Sequence, residues 1–208
     1  MPEPFRSLTA VAAPLPLVNV DTDMIWPAGK SVTLLKGAQA GNAFRRLRFL
    51  DDTDQENPEF ILNRKPWRGA RILVAGDNFG CGSSRELAVW TLYEWGLRCV
   101  IAPSFGDIFY ANACLNGLLP VRLSIPQTDQ LLARVADPAT AEATVDLETR
   151  TVRAGPLEFS FEMDERRRQG LLQGLDEIGM TLQRQAVIAD FARRYAQQAP
   201  WTTPAPGA

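Results

Sequence analysis

The 208-residue chain contains no histidine at all. Serine–histidine and cysteine–histidine nucleophile systems are therefore excluded within this chain, as are histidine-ligated metal sites. It has only three cysteines, Cys81, Cys99 and Cys114, and no Cys-x-x-Cys pair. That spacing offers no local framework for zinc or an iron–sulfur cluster. An odd count without an extracellular address also argues against a disulfide scaffold, and a reducing cytoplasm is the expected location. Neither sign of charge dominates: 22 lysines and arginines stand against 24 acidic residues, a net charge of -2. No global attraction to nucleic acid follows, so any anion site must be local. Long apolar runs are missing too. The stretch from Leu8 to Val18 is short, is interrupted by Pro14 and Pro16, and lacks a clear basic leader, so neither a signal peptide nor a membrane span is expected.

Enough apolar material is present for a sizeable core, since 46% of the residues are hydrophobic. A single domain over residues 1–198 is expected, followed by a proline-rich tail at 199–208 that reads as disordered. The clearest organisation lies between residues 70 and 123. Arg71–Ala75, Cys99–Ala102 and Leu118–Leu123 read as buried strands, and Arg85–Trp95 and Phe105–Leu115 as the helices between them. This is a β-α-β-α-β unit, which forms a parallel sheet with right-handed crossovers. The flanks are expected to add strands at Val18–Ile25 and within Val145–Phe161, the latter a hairpin around residues 153–156. Helices are expected at Pro126–Val135, Asp164–Gln173 and Asp176–Tyr195, with residues 29–69 irregular.

Between the first strand and first helix of that unit lies Gly76-Asp-Asn-Phe-Gly-Cys-Gly-Ser-Ser-Arg-Glu-Leu87. Gly76, Gly80 and Gly82 allow successive backbone N–H groups to face one concavity at the positive end of a helix. Arg85 adds a planar fork of donors suited to a carboxylate. Ser83 and Ser84 either cap the helix or exchange a proton with a bound substrate. The familiar phosphate loops fit poorly. A Walker loop needs Gly-Lys-Ser/Thr where Gly82-Ser83 stands, and a dinucleotide fingerprint needs a small residue where Arg85 stands. A carboxylate site or a purely structural turn remains. Cys81, alone between two glycines, reads as a small packing residue, and the run Arg166–Arg168 as a solvated helix face.

Asn78-Phe-Gly-Cys-Gly-Ser-Ser-Arg-Glu86 resembles the signature of the small, swivelling subunits of the 3-isopropylmalate dehydratase family, within the aconitase superfamily. Val20-Asp-Thr-Asp-Met-Ile25 with Pro27, Val100-Ile-Ala-Pro-Ser-Phe105, Asn116-Gly-Leu-Leu-Pro-Val121 and Gly174-Leu-Asp176 resemble further family segments in the same order. The resemblance implies an α/β, aconitase-like swivelling β/β/α domain with a parallel βαβαβ core and flanking strands and helices. It implies a hydro-lyase of leucine biosynthesis that interconverts 2- and 3-isopropylmalate by dehydration and rehydration, active only with a large subunit as heterodimer or heterotetramer. A 4Fe-4S cluster is expected on that partner and no metal on this chain. By position in the motif, Ser83, Arg85 and Asp23 are the implied catalytic residues, with Ser83 as the base. Ser84, Gly82 and Lys36 are the implied substrate contacts. The chain departs from the family where Leu87 replaces a usual histidine, where Trp26 replaces a smaller residue, and where Lys36–Gly41 replaces a loop that reads the substrate side group. These departures leave room for a paralogue acting on a 2-methylmalate-like or homoaconitate-like acid, or for a non-catalytic dicarboxylate-binding module.

Overall fold

The computed structural model describes residues 2–27, 36–50 and 53–202. Its centre is a seven-stranded mixed sheet of order β4-β3-β2-β1-β5-β6-β7. The strands are β1 (Ser7–Leu15), β2 (Ile72–Ala75), β3 (Cys99–Ala102), β4 (Leu119–Arg122), β5 (Glu142–Asp146), β6 (Thr151–Ala154) and β7 (Leu157–Ser160). The half from β4 to β1 is parallel and the half from β1 to β7 antiparallel. β1 joins them. Its residues 7–11 pair with β5, and its residues 12–15 pair with β2.

The expected βαβαβ core is present as β2, α3 (Glu86–Trp95), β3, α4 (Asp107–Leu115) and β4. β2 and β3 are buried along their whole length, as parallel strands covered on both faces must be. The helix α5 (Ile125–Val135) packs across β1, β2, β3 and β6, and Trp67 ties its end down by donating Nε1–H to the Val135 carbonyl at 3.0 Å. Before the core come α1 (Thr22–Ile25) and α2 (Arg45–Arg48), the latter set among short turns in the segments 36–50 and 53–69, in keeping with the irregular character expected there. Residues 28–35 and 51–52 of that stretch lie outside the described residues. After the core come α6 (Glu165–Gln173), α7 (Glu177–Leu182) and α8 (Gln185–Gln198). Pro200–Thr202 forms a 3-10 turn, and residues 203–208 of the expected tail lie outside the described residues.

Three expectations need correction. The strand placed at Val18–Ile25 is instead β1, further upstream, and Thr22–Ile25 is a turn of helix. Asp21 decides this locally, because its carboxylate accepts the Met24 N–H at 2.7 Å and caps α1. The single hairpin within Val145–Phe161 is a three-stranded meander. Its additional turn forms where Asp146 Oδ1 accepts the Thr149 N–H at 2.7 Å and Arg150 takes a φ of +56°. The long last helix is two helices, because the Arg184 N–H bonds Thr181 O at 2.9 Å and tightens the chain between α7 and α8.

Among the described residues the core contains two buried threonines, Thr91 and Thr128, whose hydroxyls find no partner, and the first has a testable consequence. Thr91 on α3 is fully buried, and its hydroxyl has no hydrogen-bond partner among the described residues. Valine has nearly the same shape and leaves no stranded donor, so Thr91→Val is expected to stabilise the fold by about 1 kcal/mol. That corresponds to a rise in Tm of about 2–4 °C for a domain of this size. A fall of similar size in thermal melts would show that the hydroxyl is satisfied in solution.

Candidate active site

The turn after β2 is held between two other segments. On one side Gly80 N donates to Val20 O at 2.7 Å, Thr22 N donates to Cys81 O at 3.0 Å, and the Thr22 hydroxyl donates to Ser83 O at 3.0 Å. On the other, Phe79 N donates to Ser104 O at 3.0 Å and Gly106 N donates to Phe79 O at 2.9 Å. The Ser104 hydroxyl bonds Asp77 Oδ1 at 2.6 Å and also accepts the Asn78 N–H at 3.0 Å. Asn78, Gly80 and Gly82 all adopt positive φ, at +59°, +72° and +84°. Gly80 is required for space as well as for conformation: a Cβ there would lie 2.2 Å from the Phe109 ring.

Threading the turn in this way leaves its far end undercommitted. The backbone N–H groups of Gly82, Ser83 and Ser84 donate to no described residue. They sit immediately before the start of α3, where the helix dipole favours an anion. Arg85 itself is the N-cap of α3, and no side chain caps that helix. Neither serine therefore acts as the cap. Ser83 and Ser84 are both exposed, and the Ser83 hydroxyl has no partner among the described residues.

Arg85 and Asp23 are brought together as an ion pair, Nη1 to Oδ1, although they are far apart in sequence. Both side chains are only partly covered, and Arg85 makes no other hydrogen bond through its guanidinium among the described residues. The pair holds the guanidinium in one orientation and leaves N–H groups free for a second carboxylate. Cys81 is half-buried, and burial, with Asp21 nearby, pushes its thiol pKa upward. A neutral thiol fits the packing role expected of it and not that of a nucleophile.

Lys36 belongs to a different network. Its ammonium donates to Asn116 Oδ1 at 3.1 Å and lies 5.3 Å from the centre of the Trp90 ring. It shares no hydrogen bond or ion pair with Ser83, Ser84, Arg85 or Asp23. Asn116 also accepts from Trp90 Nε1 at 2.9 Å and donates to Glu86 Oε1 at 2.8 Å, one residue beyond Arg85. The following backbone is pinned to α3, since Glu94 accepts the N–H groups of Gly37 and Gln39, each at 2.6 Å. Sequence reasoning assigned no role to Asn116, Glu86 or Glu94. Glu86 and Asn116 do lie in segments that carry the family resemblance, and Glu94 on a helix expected to flank the turn, but nothing local pairs them with Lys36.

Comparison with known proteins gives this geometry its context. A family model described as the aconitase C-terminal domain matches residues 3–126, which include the parallel core and the whole turn. A model described as LeuD_N matches residues 129–165, and one for the C-terminal domain of 3-isopropylmalate dehydratase small subunits matches residues 177–205. The 3-isopropylmalate dehydratase small subunit of Rhodospirillum rubrum is 50% identical, over 96% of this chain and 96% of its own length. That of Roseobacter denitrificans is 48% identical, over 95% of this chain and 98% of its own length. The chain belongs to the family of 3-isopropylmalate dehydratase small subunits. A solved structure of a 3-isopropylmalate dehydratase from Methanocaldococcus jannaschii matches the fold with a TM-score of 0.64 at 24% identity, covering 88% of this chain and 98% of that one. The aconitase-like α/β architecture expected from the sequence is thus the family's own.

The iron–sulfur cluster associated with this superfamily does not fit the residues of this chain. Among the described residues no group of three histidine, cysteine, aspartate or glutamate side chains could hold a metal ion. Cys99 and Cys114 face the core, and burial pushes the Cys114 thiol to about 12 and the Cys99 thiol higher. Neither is a thiolate ready to bind iron. No described helix is long and apolar enough to cross a membrane.

Proposed function

We propose that the chain is the small subunit of a 3-isopropylmalate dehydratase, a hydro-lyase of leucine biosynthesis, and that the turn around Ser83 is its half of the active site. Three backbone N–H groups with no partner among the described residues, beside an oriented arginine, carry this reading. In such a reaction a proton leaves the carbon beside a carboxylate, and negative charge builds on that carboxylate as it goes. The N–H groups of residues 82–84, the α3 dipole and the free edge of Arg85 are arranged to stabilise charge of this kind. Gly82 allows the close approach, Ser84 adds a hydroxyl, and Asp23 keeps the guanidinium from turning away.

Ser83 is the group we assign to the proton. An ordinary serine hydroxyl is far too weak an acid to ionise near neutrality, so its alkoxide depends on the same N–H groups and on Arg85. Its lack of a partner among the described residues supports the assignment, because a hydroxyl already committed to the backbone would not be free to exchange. Lys36 is proposed as a substrate contact at the end of the segment after Pro27, steadied by Asn116. The departing hydroxyl is left to groups brought by a large subunit, where we expect the 4Fe-4S cluster, in a heterodimer or heterotetramer in the cytoplasm. The domain that swivels onto that partner is read as residues 1–198.

The test is oxygen-free reconstitution with a cluster-bearing large subunit, following unsaturated product from 3-isopropylmalate and from 2-methylmalate. Turnover of the first acid by the complex, with neither chain active alone, is the expected result. Turnover of the second acid in its place would identify a paralogue, and a stable complex inert towards both would contradict the reading. In the active complex Arg85→Lys is expected to raise KM by about tenfold or more, since a point charge cannot replace a two-pronged contact. An unchanged KM would remove Arg85 from the carboxylate site.

A further inference from the structure

Three arginines outside the Ser83 turn converge from separate elements. Arg122 ends β4, Arg150 lies in the β5–β6 turn, and Arg167 is in the first turn of α6. Together with Tyr110, Glu162 and Asp164 they line a cavity of about 390 Å³. Tyr110 on α4 forms its floor and is 4% exposed. The Arg122 guanidinium lies 4.3 Å from the centre of the Tyr110 ring, and that of Arg167 lies 5.1 Å from it. Arg122, stacked on the ring, uses its face and keeps its N–H edge free, while Arg167 also engages the Tyr110 hydroxyl and keeps its other N–H groups.

None of the three arginines makes an ion pair among the described residues. Carboxylates are not scarce nearby, for Arg153 pairs with Glu158 and Arg168 with Glu165. Of the two acids in the cavity, Asp164 is committed to the start of α6, where it accepts the Arg167 N–H at 3.1 Å. The backbone supplies a second, independent sign. Arg150 holds a φ of +56° in a turn position that favours glycine or asparagine. Retaining an arginine there costs backbone energy that a side-chain function would explain. Burial raises the Tyr110 pKa, so its hydroxyl stays protonated and able to donate.

We propose that this cavity binds a tetrahedral oxyanion, either inorganic phosphate or the phosphate of a small phosphomonoester. One guanidinium fork satisfies a planar carboxylate, whereas three forks from three directions suit oxygens spread over a tetrahedral centre carrying about two charges. A bound phosphate would link the end of the parallel half of the sheet, the antiparallel meander and α6. The site is separate in its residues from the Ser83 turn and does not depend on the function proposed for that turn.

The experiment is isothermal titration of the full chain with sodium phosphate and with glycerol 3-phosphate at fixed ionic strength, chloride serving as the control, together with thermal melts. Saturable binding with a rise in Tm is expected, weakened about tenfold or more in Arg167→Gln. Arg150→Gly is expected to melt no lower than wild type without phosphate, because the turn strain is relieved, and yet to bind phosphate less tightly. Equal binding of the two ligands would identify the phosphate group as the feature recognised, and binding of inorganic phosphate alone would identify the free ion. No saturable binding beyond chloride, or binding unchanged in both variants, would overturn the proposal. So would loss of large-subunit association in these variants without any phosphate binding, which would make the patch a protein contact.

Discussion

Ser83→Ala is expected to lower kcat of the reconstituted two-subunit enzyme by about 10²–10⁴-fold, the range contributed by a positioned proton-transfer group. KM and the yield of complex should change little. The hydroxyl is exposed and bonded to nothing among the described residues, so its removal breaks no structural contact. The backbone N–H groups of residues 82–84 and the Arg85–Asp23 pair remain, and with them the means of binding a carboxylate. The split between kcat and KM therefore separates proton transfer from binding. A kcat within a few-fold of wild type would remove Ser83 from the chemistry.

Gly80→Ala is expected to have the largest effect on stability, a loss of about 3 kcal/mol from overpacking and left-handed backbone strain together. The new methyl would enter the Phe109 ring at 2.2 Å while the backbone holds a φ of +72°. Phe109 cannot yield easily. It is 3% exposed, meets Phe79 edge-on at 5.4 Å and stacks with Phe105 at 6.3 Å. Relief would have to come from the turn itself, moving Ser83 and Arg85 with it, so activity should fall beyond what the lost folded fraction explains. A Tm lower by about 10 °C is the expected readout. Gly41→Ala is the control, because nothing lies within 4 Å of a Cβ at that position and its φ is not positive. A Gly80→Ala variant melting like the control would mean that the aromatic cluster is looser than its contacts imply.

The parts of this molecule legible in its sequence are those where one local pattern has one reading. β2 and β3 are continuous apolar runs bounded by glycine and proline, and in the following turn Gly80 and Gly82 take the positive φ expected of them, whereas Gly76 does not and Asn78 does. β1 was hidden because Pro14 and Pro16 mask a strand that pairs with a different partner along each half. Asp21-Thr22-Asp23 looks like part of an extended stretch until the cap on Met24 and the distant Arg85 are in view. Long-range partnership likewise hides the Lys36–Asn116–Glu86 network and the three arginines around Tyr110. No window of sequence contains them together.

The most direct test of Ser83 as the base is proton exchange at carbon. The reconstituted complex is supplied with 3-isopropylmalate in D2O, and deuterium entering the carbon that loses its proton is followed by NMR for wild type and for Ser83→Ala. Steady incorporation by the wild type and almost none by the variant is the predicted result, with substrate still bound by both. Incorporation by the variant at the wild-type rate would contradict the assignment and would place the base on another residue.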